Sequence, residues 1–274
     1  MKNKKNVQIL LIALLALVIL ALAAFLISKS EAPTTSSSSS SVTSSSSSGK
    51  KASLDGKVTS QSKLNALTFP QLSTTVASDE AEIELVTSSG NIDIKLFPKI
   101  APMAVENILT LAKQNYYNNN EFFRVINEFM IQTGDPSNTG TGSKIVSSVN
   151  NGNPFATEVS NRLYNIRGAV ALANTGQANS SSSQFFIVQN NQDVTSQLTN
   201  FLYPDLIKDA YKNGGAPNLD GGYTVFGQVI AGLDIVDNIA SGAVTSNSQG
   251  EKSSPTSPVT IQNVKILKDY NFSK

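Results

Sequence analysis

Polar and apolar residues alternate with period two over residues 82–86 (Glu-Ile-Glu-Leu-Val) and 91–96 (Asn-Ile-Asp-Ile-Lys-Leu), with Ser88-Ser89-Gly90 between them. Successive strand residues face opposite sides, so this spacing predicts a β-hairpin with one buried face. Over residues 101–116 the period lengthens to that of a helix. Val105, Ile108, Leu109 and Ala112 share one side, Pro102 suits the first turn, and Asn118-Asn119-Asn120 supplies the stop. Short apolar runs divided by Gly, Asn and Ser follow at 122–126, 129–131, 168–172, 184–188, 224–229 and 259–267. A second helical stretch, 232–239, precedes the last run. A third, shorter helix is predicted over 204–212, with Pro204 at its first position and Gly214-Gly215 as its stop. Leu206, Ile207, Ala210 and Tyr211 form its apolar side, expected to pack on the rest of the domain. Many short strands with two helices predict a mainly β fold. The expected form is a closed antiparallel barrel of about eight strands capped by the helices, the third helix lying in an insertion.

The N-terminal pattern is different. Residues 7–27 are apolar apart from Gln8, and 21 residues are enough to cross a hydrocarbon core. Lys2, Lys4 and Lys5 precede the run, which places the N-terminus in the cytoplasm and the rest outside. A cleaved signal peptide is the competing reading, but its apolar region is shorter than this one. Residues 34–48 then hold eleven Ser, three Thr and one Val, a composition that cannot bury a core. The predicted organisation is a cytoplasmic tail (1–6), an anchor or signal segment (7–27), a Ser-rich disordered linker (28–66) and one folded domain (67–274).

Composition narrows the chemistry. The chain has 274 residues, with no His, Cys or Trp. Imidazole acid–base catalysis, thiolate chemistry, disulfides, lipid attachment at a mature N-terminal Cys and ordinary zinc sites are thereby excluded. Up to Glu31 there are four lysines and one acid, leaving 17 cations against 19 anions beyond it. The folded part is slightly acidic, so no nucleic-acid partner is expected. No metal or cofactor is expected either.

Three stretches carry the functional signal. The first is Phe122-Phe123-Arg124-Val125-Ile126-Asn127-Glu128-Phe129-Met130-Ile131-Gln132-Thr133-Gly134-Asp135. The second is Ala171-Leu172-Ala173-Asn174, followed after a polar loop by Ser183-Gln184-Phe185-Phe186-Ile187. The third is Leu219-Asp220-Gly221-Gly222-Tyr223-Thr224-Val225-Phe226-Gly227. Together, and in this order, they closely resemble the cyclophilin-type peptidyl-prolyl cis–trans isomerases, and the resemblance covers about 80–267.

The residues also permit a direct reading. An X–Pro bond rotates over a barrier of ~18–20 kcal/mol, and no covalent bond need break. A catalyst must bind the twisted amide better than either planar form. Twisting gives the amide nitrogen a lone pair, and an always-protonated, rigid guanidinium suits that nitrogen. The proline ring needs an apolar pocket, and the flanking backbone needs donors and acceptors.

Arg124 is the candidate catalytic donor, because a charge inside the apolar run 122–126 is costly unless paired or functional. The resemblance implies that Phe129, Met130 and Phe186 wall the proline pocket and that Leu219 and Tyr223 close it. Met130 and Gln132 are two apart and share a strand face, so Gln132 is expected to bond substrate backbone beside the Met130 wall. Ala173 and Asn174 are expected to contact the substrate strand. Gln184 is expected to bond Arg124 or line the adjoining pocket.

The chain departs from the family in several places. Tyr223 stands where many relatives have His. Asn218 replaces a common aromatic, often Trp, so weak cyclosporin binding is expected while activity is kept. The loop 175–183 is one residue longer than usual. The segment 189–217 is far longer than the usual link, and either extends the substrate groove or only decorates the barrel. The expected function is an extracytoplasmic, membrane-anchored isomerase acting on proline-containing polypeptides as secreted or surface proteins fold. The alternatives are a non-catalytic proline-peptide receptor or chaperone, and a surface adhesin.

Overall fold

The computed structural model describes residues 51–272. The predicted tail, the anchor segment and linker residues 28–50 lie outside the described residues. In chain order the elements are α1 (Gln61–Asn65), β1 (Ala81–Thr87), β2 (Gly90–Leu96), α2 (Pro102–Lys113), β3 (Arg124–Ile126) and β4 (Met130–Thr133). There follow β5 (Ala169–Leu172), β6 (Phe185–Val188), α3 (Asp205–Ala210), β7 (Val225–Ala231), α4 (Leu233–Ala240), β8 (Val244–Ser246), β9 (Lys252–Pro255) and β10 (Ile261–Lys268).

Eight strands form one curled antiparallel sheet in the order β10-β1-β2-β7-β5-β6-β4-β3. The mainly β architecture with helices is as the pattern predicts. The ladder itself is open between β3 and β10. The chain leading into β3 spans the gap: Phe122 N–H donates to Val259 C=O at 2.9 Å, and Ile261 N–H donates to Asn120 C=O at 2.8 Å. A single bridge pairs Glu121 with Thr260.

The sheet has two different faces. Along β1, Ala81, Ile83 and Leu85 are buried while the residues between them are half-buried, as the alternation predicts. In β5 and β6 both faces are covered, which makes their runs continuously apolar, while β4 is buried apart from half-buried Gln132. Ile131, Val170, Leu172, Phe185 and Ile187 enter the main core with the apolar side of α2. Met130, Ala169, Ala171, Phe186 and Val188 face the other way into a second apolar cluster. Each strand therefore fills the main core with one set of side chains and the second cluster with the other.

Helix α2 ends at Lys113, three residues before the expected end. Asn115 takes a left-handed φ of 56° and Tyr116 N–H returns to Leu111 C=O at 3.0 Å, which closes the last turn. Ala101 precedes the helix and has no side-chain oxygen to cap it. Glu158 supplies one from elsewhere in the chain, accepting from Met103 N–H at 3.1 Å and Ala104 N–H at 3.0 Å.

The expected start of the folded domain at 67 is corrected by the structure. Residues 51–66 pack on the domain, with Leu64 of α1 fully buried. Gln61 Nε2 donates to Tyr203 C=O at 2.8 Å, and Asn65 Nδ2 donates to Asp205 at 2.7 Å. Ser-rich composition gave no hint of a single buried leucine. The insertion packs beside this extension. Phe69, Tyr164, Ile166, Val194, Tyr203, Ile207 and Tyr211 form a third core, mostly aromatic. Two expectations for α3 are revised. Leu206 is exposed rather than on the packed side, and Pro204 precedes the helix with an extended ψ of 148°. The base of the insertion is tight, since a Cβ on Gly214 would lie 1.9 Å from Asn190 O.

Candidate active site

Hairpin β3–β4 sets Arg124 directly opposite Gln132 and Ile126 opposite Met130. Arg124 Nη1 then lies 3.3 Å from Gln132 Oε1 and 3.6 Å from Met130 Sδ. From Gln132 a polar chain continues along the same side. Gln132 Nε2 donates to Gln184 Oε1 at 3.0 Å, and Gln184 Nε2 donates to the carbonyls of Gly140 and Gly142 at 3.1 and 2.7 Å. Gln184 thus holds Gln132 rather than Arg124, whose side chain lies one link further along.

The other edge of the guanidinium is also taken. Arg124 Nε donates to Glu251 Oε2 at 2.7 Å and Nη2 donates to Glu251 Oε1 at 2.8 Å, a bidentate pair. Hydrogen bonding from Arg124 is the main reason the Glu251 carboxyl sits below its ordinary range. Nothing in the sequence pointed to Glu251. It lies 127 positions from Arg124, in the turn of the β8–β9 hairpin, within a polar stretch to which the sequence pattern assigned no element.

Beside Arg124 lies the second apolar cluster. Met130, Phe186 and Leu219 are buried in it, and Phe129, Ala173 and Tyr223 pack against it half-buried. The five residues expected to wall or close the pocket are therefore brought together, away from the main core, and Ala173, expected on the substrate strand, joins them. Leu163, Val225, Ala216 and Ile126 join them, and none of these was expected. Tyr223 stands edge-on to Phe186, with ring centroids 5.5 Å apart and planes at 83°. Burial pushes the Tyr223 hydroxyl up, while the Arg124 charge works against it, which fits two groups flanking one space.

The remaining candidates lie on the adjoining loops. Ala173 leaves β5 with its N–H bonded to Gln184 C=O at 2.9 Å. Asn174 Nδ2 donates to Gly222 C=O at 2.9 Å and its Oδ1 accepts from Gly176 N–H at 3.0 Å. That ties the loop after β5 to the loop carrying Tyr223. Asn218 is exposed on the turn that carries buried Leu219.

This arrangement suits rotation of an amide. A guanidinium beside an apolar cluster presents donors in fixed directions. One charge-assisted bond formed only with the twisted amide contributes about 1.5–3 kcal/mol, or roughly ten- to a hundredfold in rate. The rest must come from holding the ring and flanking backbone.

Comparison with known proteins agrees with this geometry. The family model described as cyclophilin type peptidyl-prolyl cis-trans isomerase/CLD matches residues 82–266. A Staphylococcus saprophyticus protein bearing the peptidyl-prolyl cis-trans isomerase name is 41% identical over 203 residues, covering 73% of this chain and 98% of its own. A Staphylococcus aureus protein of the same name is 42% identical, covering 72% and 98%. The crystal structure of a Cryptosporidium parvum cyclophilin type peptidyl-prolyl cis-trans isomerase superposes with a TM-score of 0.52 at 26% identity, covering 70% of this chain and 99% of that one. The same protein was also solved in the presence of the dipeptide Ala-Pro. The chain belongs to the cyclophilin-type peptidyl-prolyl cis–trans isomerase family and is an enzyme of that class.

Proposed function

We propose that Arg124 supplies the donor that stabilises the twisted X–Pro amide. The proline ring occupies the recess of Phe129, Met130, Phe186, Leu219 and Tyr223. Gln132, Ala173 and Asn174 hold the flanking peptide, and Gln184 keeps Gln132 in place. The observation that carries this reading is the position of Arg124 Nη1 against Met130 Sδ and Gln132 Oε1, at the edge of the second apolar cluster. The substrates are proline-containing polypeptides. We further propose that the domain works outside the cytoplasm, tethered by residues 7–27, on secreted or surface proteins as they fold. The basic start, the apolar run and the Ser-rich linker support that placement.

Two measurements test the proposal. Cis-to-trans conversion of a short X–Pro peptide by the full chain should fall at least about tenfold in Arg124→Ala. Tight binding of proline peptides without turnover would instead favour a receptor or chaperone. Protease added to intact cells should remove the domain, and full protection would place it inside.

A further inference from the structure

The β8–β9 hairpin forms its own two-stranded sheet, apart from the eight-stranded one. Strand β9 lies against β3, the last strand of the main sheet. Its turn is built to present one side chain. Asn247 Oδ1 accepts from Gln249 N–H at 2.9 Å and from Glu251 N–H at 3.0 Å. Asn247 N–H donates to Glu251 C=O at 2.8 Å, and Gly250 N–H donates to Asn247 C=O at 3.0 Å. Glu251 is therefore fixed at both its amide and its carbonyl. Its carboxylate then takes Arg124 by the Nε and Nη2 donors.

A guanidinium is flat and carries five N–H groups in fixed directions. Pairing along the Nε–Nη2 edge uses two of them, and Gln132 accepts from Nη1. Nη1 also donates to the weak acceptor Met130 Sδ at 3.6 Å, which leaves one N–H on Nη2, at the far end of the fork, with no partner among the described residues. Met130 Sδ lies beside Nη1, so this free end is on the side of the apolar cluster. An isolated exposed ion pair would carry little weight. This one is different in kind, because both partners are about two-thirds shielded, with 31% of each side chain exposed, and the geometry is two-pronged.

We propose that Glu251 is a positioning residue for Arg124, gripping the guanidinium by its side edge so that its far end is aimed at the proline pocket before substrate arrives. This rests on reading Arg124 as the catalytic donor. Long side chains lose much rotamer freedom when fixed, and Glu251 imposes that order in the free enzyme. Without it, Arg124 must be ordered during the twist itself. The loss then falls on kcat, while KM, set by the apolar pocket and the flanking backbone, stays close to its original value.

The test uses the full chain and a short Ala-Pro peptide, with kcat and KM measured separately for Glu251→Ala, Glu251→Gln, Arg124→Ala and the double variant. Glu251→Ala should lower kcat about tenfold with KM within about twofold, and Glu251→Gln, which keeps the length and one acceptor, should recover part of the loss. In the Arg124→Ala background, Glu251→Ala should have no further effect, because there is nothing left to aim. Three results would overturn the proposal: unchanged or raised kcat in Glu251→Ala, the same fold loss with and without Arg124, or a rise in KM alone. An Arg124→Ala variant at full rate would sink the reading of Arg124 itself, a distinct failure. Glu251→Gln guards against misfolding. A folded variant at full rate despite its broken two-point grip counts against the proposal.

Discussion

Tyr211 donates its hydroxyl to the Asp220 carboxylate at 2.5 Å, and Asp220 directly follows Leu219 of the apolar pocket. The same carboxylate accepts from Asn165 through its backbone N–H at 2.8 Å and its Nδ2 at 2.9 Å. Tyr211 belongs to the insertion, so the long segment 189–217 stands behind the pocket wall and is tied to it. Tyr211→Phe removes one donor to a buried charge. It should destabilise the protein by about 1.5–3 kcal/mol, read as a lower denaturant midpoint at unchanged slope. No change in midpoint would mean the insertion only decorates the domain.

Asp220 also gives stability a pH dependence. Burial raises its carboxyl from the ordinary 3.8 to about 6, against the pull of donors from Tyr211, Asn165 and Tyr203. Tyr164 also lies close enough to feel its charge. The folded state therefore takes up this proton more readily than the unfolded one. Its stabilising contribution is complete below 3.8 and is lost as pH rises through about 6. Between about pH 5 and about pH 7, the stability of the parent relative to Asp220→Asn should fall as pH rises. Equal slopes for the two proteins, measured by thermal midpoint, would contradict the assignment.

Leu64 is fully buried although it sits 16 residues after the last serine of the Ser-rich run. Leu64→Ala should cost about 2–5 kcal/mol, as a buried leucine does. A chain beginning at residue 67 should likewise melt earlier than one beginning at 51. Coincident melting curves would restore the later boundary.

Asn218 is exposed on the turn before Leu219. The parent should bind cyclosporin weakly, and Asn218→Trp should tighten binding at least about tenfold by adding aromatic contact area. Inhibition of the parent at nanomolar drug would refute this.

Much of the domain could be read from local pattern. The alternation of β1 and β2, the helical spacing of α2 and α4, and the order of the apolar runs all reflect side-chain periodicity, which each residue's near neighbours impose. The boundaries that failed were decided by distant partners. The end of α2 depended on a left-handed Asn115, and the start of the domain on burying Leu64 and on bonds from Gln61 and Asn65 to residues about 140 positions on.

The site divides in the same way. Arg124, Met130 and Gln132 lie within nine residues on one hairpin, so their common face follows from strand geometry. Phe186, Leu219 and Tyr223 were expected at the pocket only through resemblance to a family. Continuous apolar runs do not reveal which of two buried faces a residue will take. Glu251 had no local signal at all. A carboxylate in a polar turn becomes a partner for Arg124 only when the sheet curls and lays β9 along β3. Sequence alone determined the eight strands of the main sheet, the three longer helices and the chemistry on offer, while α1 and the β8–β9 hairpin had no local signal. Tertiary structure decided which groups meet, because contacts across 127 positions depend on the closure of the whole chain and not on the spacing of neighbours.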